Sequence, residues 1–95
     1  MIISLDYDET FTRDPETWKT VVSVLRAAGH TVYCVTMRYD NHHEKTEVGS
    51  QLNGVVDAIF FTGRRAKSDF MYEQGIKVDV WIDDMPLFIY QGALA

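Results

Sequence analysis

Four short apolar runs, Met1 to Leu5, Thr31 to Met37, Val55 to Phe61 and Val78 to Ile82, are separated by polar segments in which apolar residues return at helical spacing. Each run has the length of a strand and is rich in Val, Ile, Phe or Tyr, so four β-strands are expected. Between the first two, "DPETWKTVVSVLRAAGH" offers Asp14 as N-cap and Pro15 at the first helical position. It then sets Trp18, Val21, Val22 and Leu25 at helical spacing and stops at Gly29. Asn41 to Leu52 reads as a polar helix with Val48 and Leu52 on one face, and Ala66 to Gln74 as a helix ending at Gly75. The tail "MPLFIYQGALA" is apolar and fits a last helix, a fifth strand or a patch for self-association.

Strands alternating with helices imply right-handed crossovers and an α/β fold: a Rossmann-like three-layer sandwich whose mainly parallel sheet is covered on both faces. Ligands of such sheets sit in a crevice at the carboxyl ends of the strands. The 95 residues suffice for one compact domain, 1–95, with its own core. A hydrophobic fraction of 46% and a charged fraction of 24% exclude a disordered or collagen-like chain. No apolar stretch approaches the roughly 20 residues of a membrane span, and no basic segment with a small-residue cleavage site opens the chain, so a cytoplasmic location is expected. Net charge of −5 argues against a broad nucleic-acid footprint, although a divalent cation would cancel part of it locally. Cys34, the single cysteine, lies inside "TVYCV" and is read as a buried strand residue; His42 and His43 are read as solvated, and Trp18 and Trp81 as core.

The chemistry-bearing residues fall at the strand ends. Asp6, Asp8 and Thr10 follow the first, Thr36 closes the second, Gly63 to Lys67 follows the third, and Asp83 and Asp84 follow the fourth. Residues two apart in extended chain project to one side, so Asp6 and Asp8 are expected to face one point in the crevice. Carboxylates gathered in this way repel unless a cation sits among them. Mg²⁺, a hard ion that takes oxygen ligands and keeps waters, is the natural candidate. Thr36 and Lys67 would hold the oxygens of a phosphate opposite that metal.

The order of these elements, "SLDYDET", "VYCVTMR", "RRAKSDF" and "VWIDDM", resembles the haloacid dehalogenase superfamily over nearly the whole chain. That family has a strand followed by D-x-D-x-T, a strand ending in Thr or Ser, a Lys ahead of a helix, and a strand ending in two acids. The resemblance implies a Mg²⁺-dependent phosphomonoesterase in which Asp6 is the nucleophile and forms an aspartyl-phosphate. Asp8 would protonate the leaving oxygen and then activate water, and Thr36 and Lys67, or Arg64 or Arg65 in place of Lys67, would bind phosphate. The metal would be held by Asp6, by the backbone carbonyl of Asp8, and by the last pair, with Asp84 the direct ligand and Asp83 in support.

Two departures bear on this. Glu9 stands where many members carry Gly, adding negative charge near the phosphate, and the fifth strand of the usual sheet is not evident. No room exists after Thr10 or Thr36 for a cap domain, so a small capless member with an open crevice is implied, its expected substrates including nucleic-acid ends and other large phosphorylated molecules. Arg13, Arg38, Arg64 and Arg65 are candidates for the mouth. A receiver domain of the response-regulator kind would need its acceptor Asp after the third strand, where this chain has "FFTG". The alternative is a catalytically degenerate relative of the same fold that only binds.

Overall fold

The computed structural model describes residues 1–93, and the last two residues of the apolar tail lie outside the described residues. The elements run β1 (Ile2–Leu5), a single 3₁₀ turn (Phe11–Arg13), α1 (Pro15–Ala27), β2 (Thr31–Thr36), α2 (His42–Leu52), β3 (Ala58–Phe61), α3 (Lys67–Glu73), β4 (Val80–Ile82) and α4 (Leu87–Tyr90). Asp14 caps α1, its carboxylate accepting from the Thr17 N–H, and the amide oxygen of Asn41 caps α2 by accepting from the Glu44 N–H. Gly29 ends the first helical segment at φ +92°, a conformation costly for any residue with a Cβ.

All strand pairings are parallel, in the order β3-β2-β1-β4, which gives the expected Rossmann-like α/β sandwich. The chain steps outward from β1 to β3 and then returns across the sheet to place β4 on the other side of β1. With right-handed crossovers, that reversal sends α3 to the face opposite α1 and α2 and opens a crevice between β1 and β4. One face carries the main core, where Ile3, Leu5, Val32 and Cys34 meet Val22 of α1 and Val48 and Leu52 of α2. Met71 of α3 and Ile89 of α4 are buried apart from that cluster. Cys34 is fully buried, and burial pushes its thiol above the ordinary range.

The strands are shorter than their apolar runs. The run expected from Val55 begins its strand only at Ala58, and that expected from Val78 only at Val80. Val55 and Val56 are taken up by a turn closing on the Leu52 carbonyl, and an aspartate stands just before each of the two strands. Asp57 accepts the Val32 N–H at 2.8 Å and pairs with Arg26 at 3.1 Å, while Asp79 accepts the Ile2 N–H at 2.7 Å. Each carboxylate satisfies a strand donor at the amino edge of the sheet, where no neighbouring carbonyl reaches it.

The tail resolves as a last helical turn, not as a strand: α4 packs beside α3, and the sheet has four strands among the described residues. No helix among the described residues is long and apolar enough to cross a membrane. Asp57→Ala is expected to cost about 1–2 kcal/mol by orphaning the Val32 N–H. In a thermal melt that is a Tm drop of roughly 5–10 °C for a domain of this size. An unchanged Tm would mean that water replaces the carboxylate at no cost.

Candidate metal and phosphate site

The register of the sheet sets the site. Leu5 pairs with Ile82, so β1 and β4 end at one level, and the Asp6 N–H extends the ladder to the Ile82 carbonyl at 2.9 Å. The first residue beyond each strand is therefore an aspartate beside an aspartate. Oxygens of Asp6, Asp83 and Asp84 all lie within 4.8 Å of one another. Lys67, the first residue of α3 and only 3% exposed, projects between two of them and donates to Asp6 at 2.8 Å and to Asp83 at 2.5 Å. The Thr10 hydroxyl lies 3.0 Å from Asp6 and 3.2 Å from Asp84, and accepts the Asp84 N–H at 3.3 Å. Sequence reasoning gave Thr10 no role of its own. Its position ties the first motif to the last.

Three carboxylates against one ammonium leave the cluster short of positive charge. Burial raises the Asp6 carboxyl to about 7, opposed by the charge of Lys67 and reinforced by its hydrogen-bonding contact with Asp84. On Lys67, desolvation favours the neutral amine, but the attraction of Asp6 wins and its pKa moves up. A divalent cation fits this donor set: hard oxygens from three side chains within 4.8 Å of one another.

Asp8 is placed differently from the expectation. Extended chain ends at Leu5 and residues 7–10 turn, so the two-residue alternation does not carry over from Asp6 to Asp8. Both line the crevice, but the Asp8 carboxylate is not one of the three clustered groups. Arg38 grips it with two hydrogen bonds, Nε at 2.9 Å and a terminal nitrogen at 2.8 Å. The other terminal nitrogen reaches Glu44 at 2.7 Å and Glu47 at 2.5 Å on α2, and the guanidinium lies 5.1 Å from the Tyr7 ring centroid. Arg38, expected at the mouth, is thus committed to three carboxylates, which hold its own pKa up, Asp8 foremost. Arg65 is paired with Glu73.

Thr36 is buried, and its hydroxyl accepts the Arg38 N–H at 3.3 Å. It lines the same crevice as Asp6, Asp8, Lys67, Asp83 and Asp84, a space of about 220 Å³ that also takes in Arg64 and Glu9. Glu9 stands at φ +61°, a left-handed conformation that costs roughly 1–2 kcal/mol outside glycine. Met37, Met85, Phe88 and Ala93 complete the lining. The last three belong to the tail, whose apolar composition announced burial without saying against what. His42 and His43 are exposed, and Trp18 packs against the core.

Over 74 residues, 76% of the chain, the sequence is 32% identical to a protein of Oceanobacillus iheyensis named "Putative nucleotidase". The matched stretch is 39% of that protein, so the chain spans about two fifths of the relative's length. No family model matches the chain, and no solved structure matches it.

A group with a raised pKa stabilises the fold while protonated and loses that contribution as pH rises through the folded value. In metal-free protein, the part of the stability owed to Asp6 is therefore present in full below pH 3.8 and declines as pH rises through about 7. Asp6→Asn, which removes the titration, is expected to melt above the wild type at pH 8 by about 1–2 kcal/mol, the gap closing toward pH 5. Mg²⁺ is expected to raise the wild-type Tm and leave the variant nearly unmoved. Parallel melting curves for the two proteins across pH would contradict the charge balance described.

Proposed function

We propose that the chain is a phosphomonoesterase of the haloacid dehalogenase type, working with Mg²⁺ through an aspartyl-phosphate on Asp6. One observation carries this: carboxylates from the ends of two adjacent parallel strands converge with a buried lysine threaded between them. A structural ion pair would need one acid. Replacing buried pairs by apolar residues is often neutral or stabilising, so a three-acid cluster at a strand-end crevice is hard to account for by folding alone. The name of the Oceanobacillus relative agrees with phosphate-ester chemistry.

Asp6, Asp83 and Asp84 would hold the cation, with the Asp8 backbone carbonyl added by the family resemblance. Both oxygens of Asp83 already accept hydrogen bonds, from Lys67 and from the Met85 N–H at 2.9 Å. That favours Asp84 as the direct ligand and Asp83 as support. When bound, the ion offsets the charge of the phosphoryl oxygens.

In the first step a carboxylate oxygen of Asp6 attacks phosphorus, the bond to the leaving oxygen breaks, and Asp8 supplies the proton that oxygen needs. In the second, water attacks the same phosphorus, Asp8 takes its proton, and the Asp6 carboxylate departs. Lys67 and Thr36 hold the phosphoryl oxygens throughout, and Lys67 also keeps Asp6 oriented. Arg38 fixes Asp8 at the rim of the crevice, anchored from α2.

The test is Mg²⁺-dependent release of phosphate from a panel of phosphomonoesters that includes 3′- and 5′-phosphorylated oligonucleotides. Asp6→Asn is expected to lower kcat by at least about 10³-fold and Asp8→Asn by about 10²–10⁴-fold. Turnover unaffected by Asp6→Asn would refute the assignment. Tight association with a partner that survives Asp6→Asn and Asp84→Ala, without turnover of any phosphoester, would favour the degenerate binding protein instead.

A further inference from the structure

We propose that the C-terminal tail turns the crevice into a binding subsite for phosphate esters whose leaving group is a single neutral aromatic ring; this rests on the phosphoesterase reading above for its catalytic meaning. Three features of the crevice point to it.

The first is the wall. Beyond the polar groups at the strand ends, the lining consists of Met37, Met85, Phe88 and Ala93. Phe88 is half-buried and lines the crevice, an aromatic residue at the edge of a polar pocket. The two thioethers are soft groups that adapt to a ring edge.

The second is rigidity. The Phe88 N–H bonds the Met85 carbonyl at 3.0 Å, Ile89 is buried beside it, and the Ala93 N–H bonds the Arg64 carbonyl at 2.9 Å. At Gly92 the tail lies so close to the loop before α3 that a Cβ would come within 3.2 Å of the same carbonyl. A wall fixed in this way loses little entropy when a ligand packs on it.

The third is charge. Asp8, Glu9 and Asp84 are exposed at the crevice and outnumber Arg64, the one arginine in its lining, while Arg38 beside Asp8 is committed to acids. A substrate with further phosphates meets repulsion beyond the reacting group, whereas a neutral ring does not. At about 220 Å³ the crevice is smaller than the roughly 300–1,000 Å³ that encloses drug-sized ligands, which suits one ring.

The experiment is binding of benzylphosphonate and ethylphosphonate with Mg²⁺ present, read by calorimetry without turnover. Benzylphosphonate is expected to bind at least about 10-fold more tightly, and Phe88→Ala to cut the preference below about 3-fold with ethylphosphonate unchanged. Equal affinities in the wild type, no binding of either, or a preference that survives Phe88→Ala would overturn the subsite. Should Phe88→Ala melt below the assay temperature, Phe88→Leu and Met37→Ala serve, each expected to shrink the preference. Turnover is measured separately with benzyl phosphate and glycerol 1-phosphate, both alkyl leaving groups. Equal kcat/KM for these two, or a higher kcat/KM for a phosphorylated oligonucleotide, sinks the subsite and keeps the esterase. A benzylphosphonate preference without hydrolysis sinks the esterase and keeps the subsite.

Discussion

The buried ammonium of Lys67 is what the site depends on. It bridges the residue after β1 and the residue after β4, the two strand ends that the sheet order brings together. Without it, two carboxylates at less than a tenth side-chain exposure would face each other in low dielectric, an arrangement that costs several kcal/mol per ion. With it, the cluster is still one positive charge against three acids. Burial first, and contact with Asp84 after it, raises the pKa of Asp6 in spite of the Lys67 charge. The fold thus holds a charge balance left unfinished on the side that faces the crevice, where three acids are grouped as a metal ion would need them.

The loop after β1 carries the cost of bringing these groups together. It turns sharply enough to force Glu9 into the left-handed region, buries Tyr7 against Phe11 with the rings 6.0 Å apart, and returns Thr10 beneath Asp6 and Asp84. Arg38 straps the same loop to α2 through Asp8, Glu44 and Glu47. Strain and buried polarity gathered in one loop are common where a geometry is kept for chemistry rather than for stability. The amino edge of the sheet shows the contrast: Asp57 and Asp79 are acids too, yet each has a backbone donor and no carboxylate neighbour in the cluster.

The sequence by itself determined the order of elements, because periodicity of two against 3.6, together with Asp14, Pro15, Gly29 and Gly75, is local chemistry that needs no partner. It also determined that acids, Thr36 and Lys67 share one edge, since a parallel α/β chain puts every strand's carboxyl end there. Strand lengths were less legible: Val55 and Val56 go into a turn onto Leu52, and Asp57 and Asp79 bond across to neighbouring strands, choices made in three dimensions. The direction of Asp8 was decided by the turn at residues 7–10 and by Arg38, which is 30 residues away in sequence. The tail shows the limit most plainly, for apolar composition fixes that a segment seeks cover, not which surface gives it. Only the packing of α4 beside α3 and the bond from Ala93 to Arg64 made that segment a wall of the crevice. Local propensity acts within a few residues, while these contacts join parts of the chain that meet only once the sheet has formed.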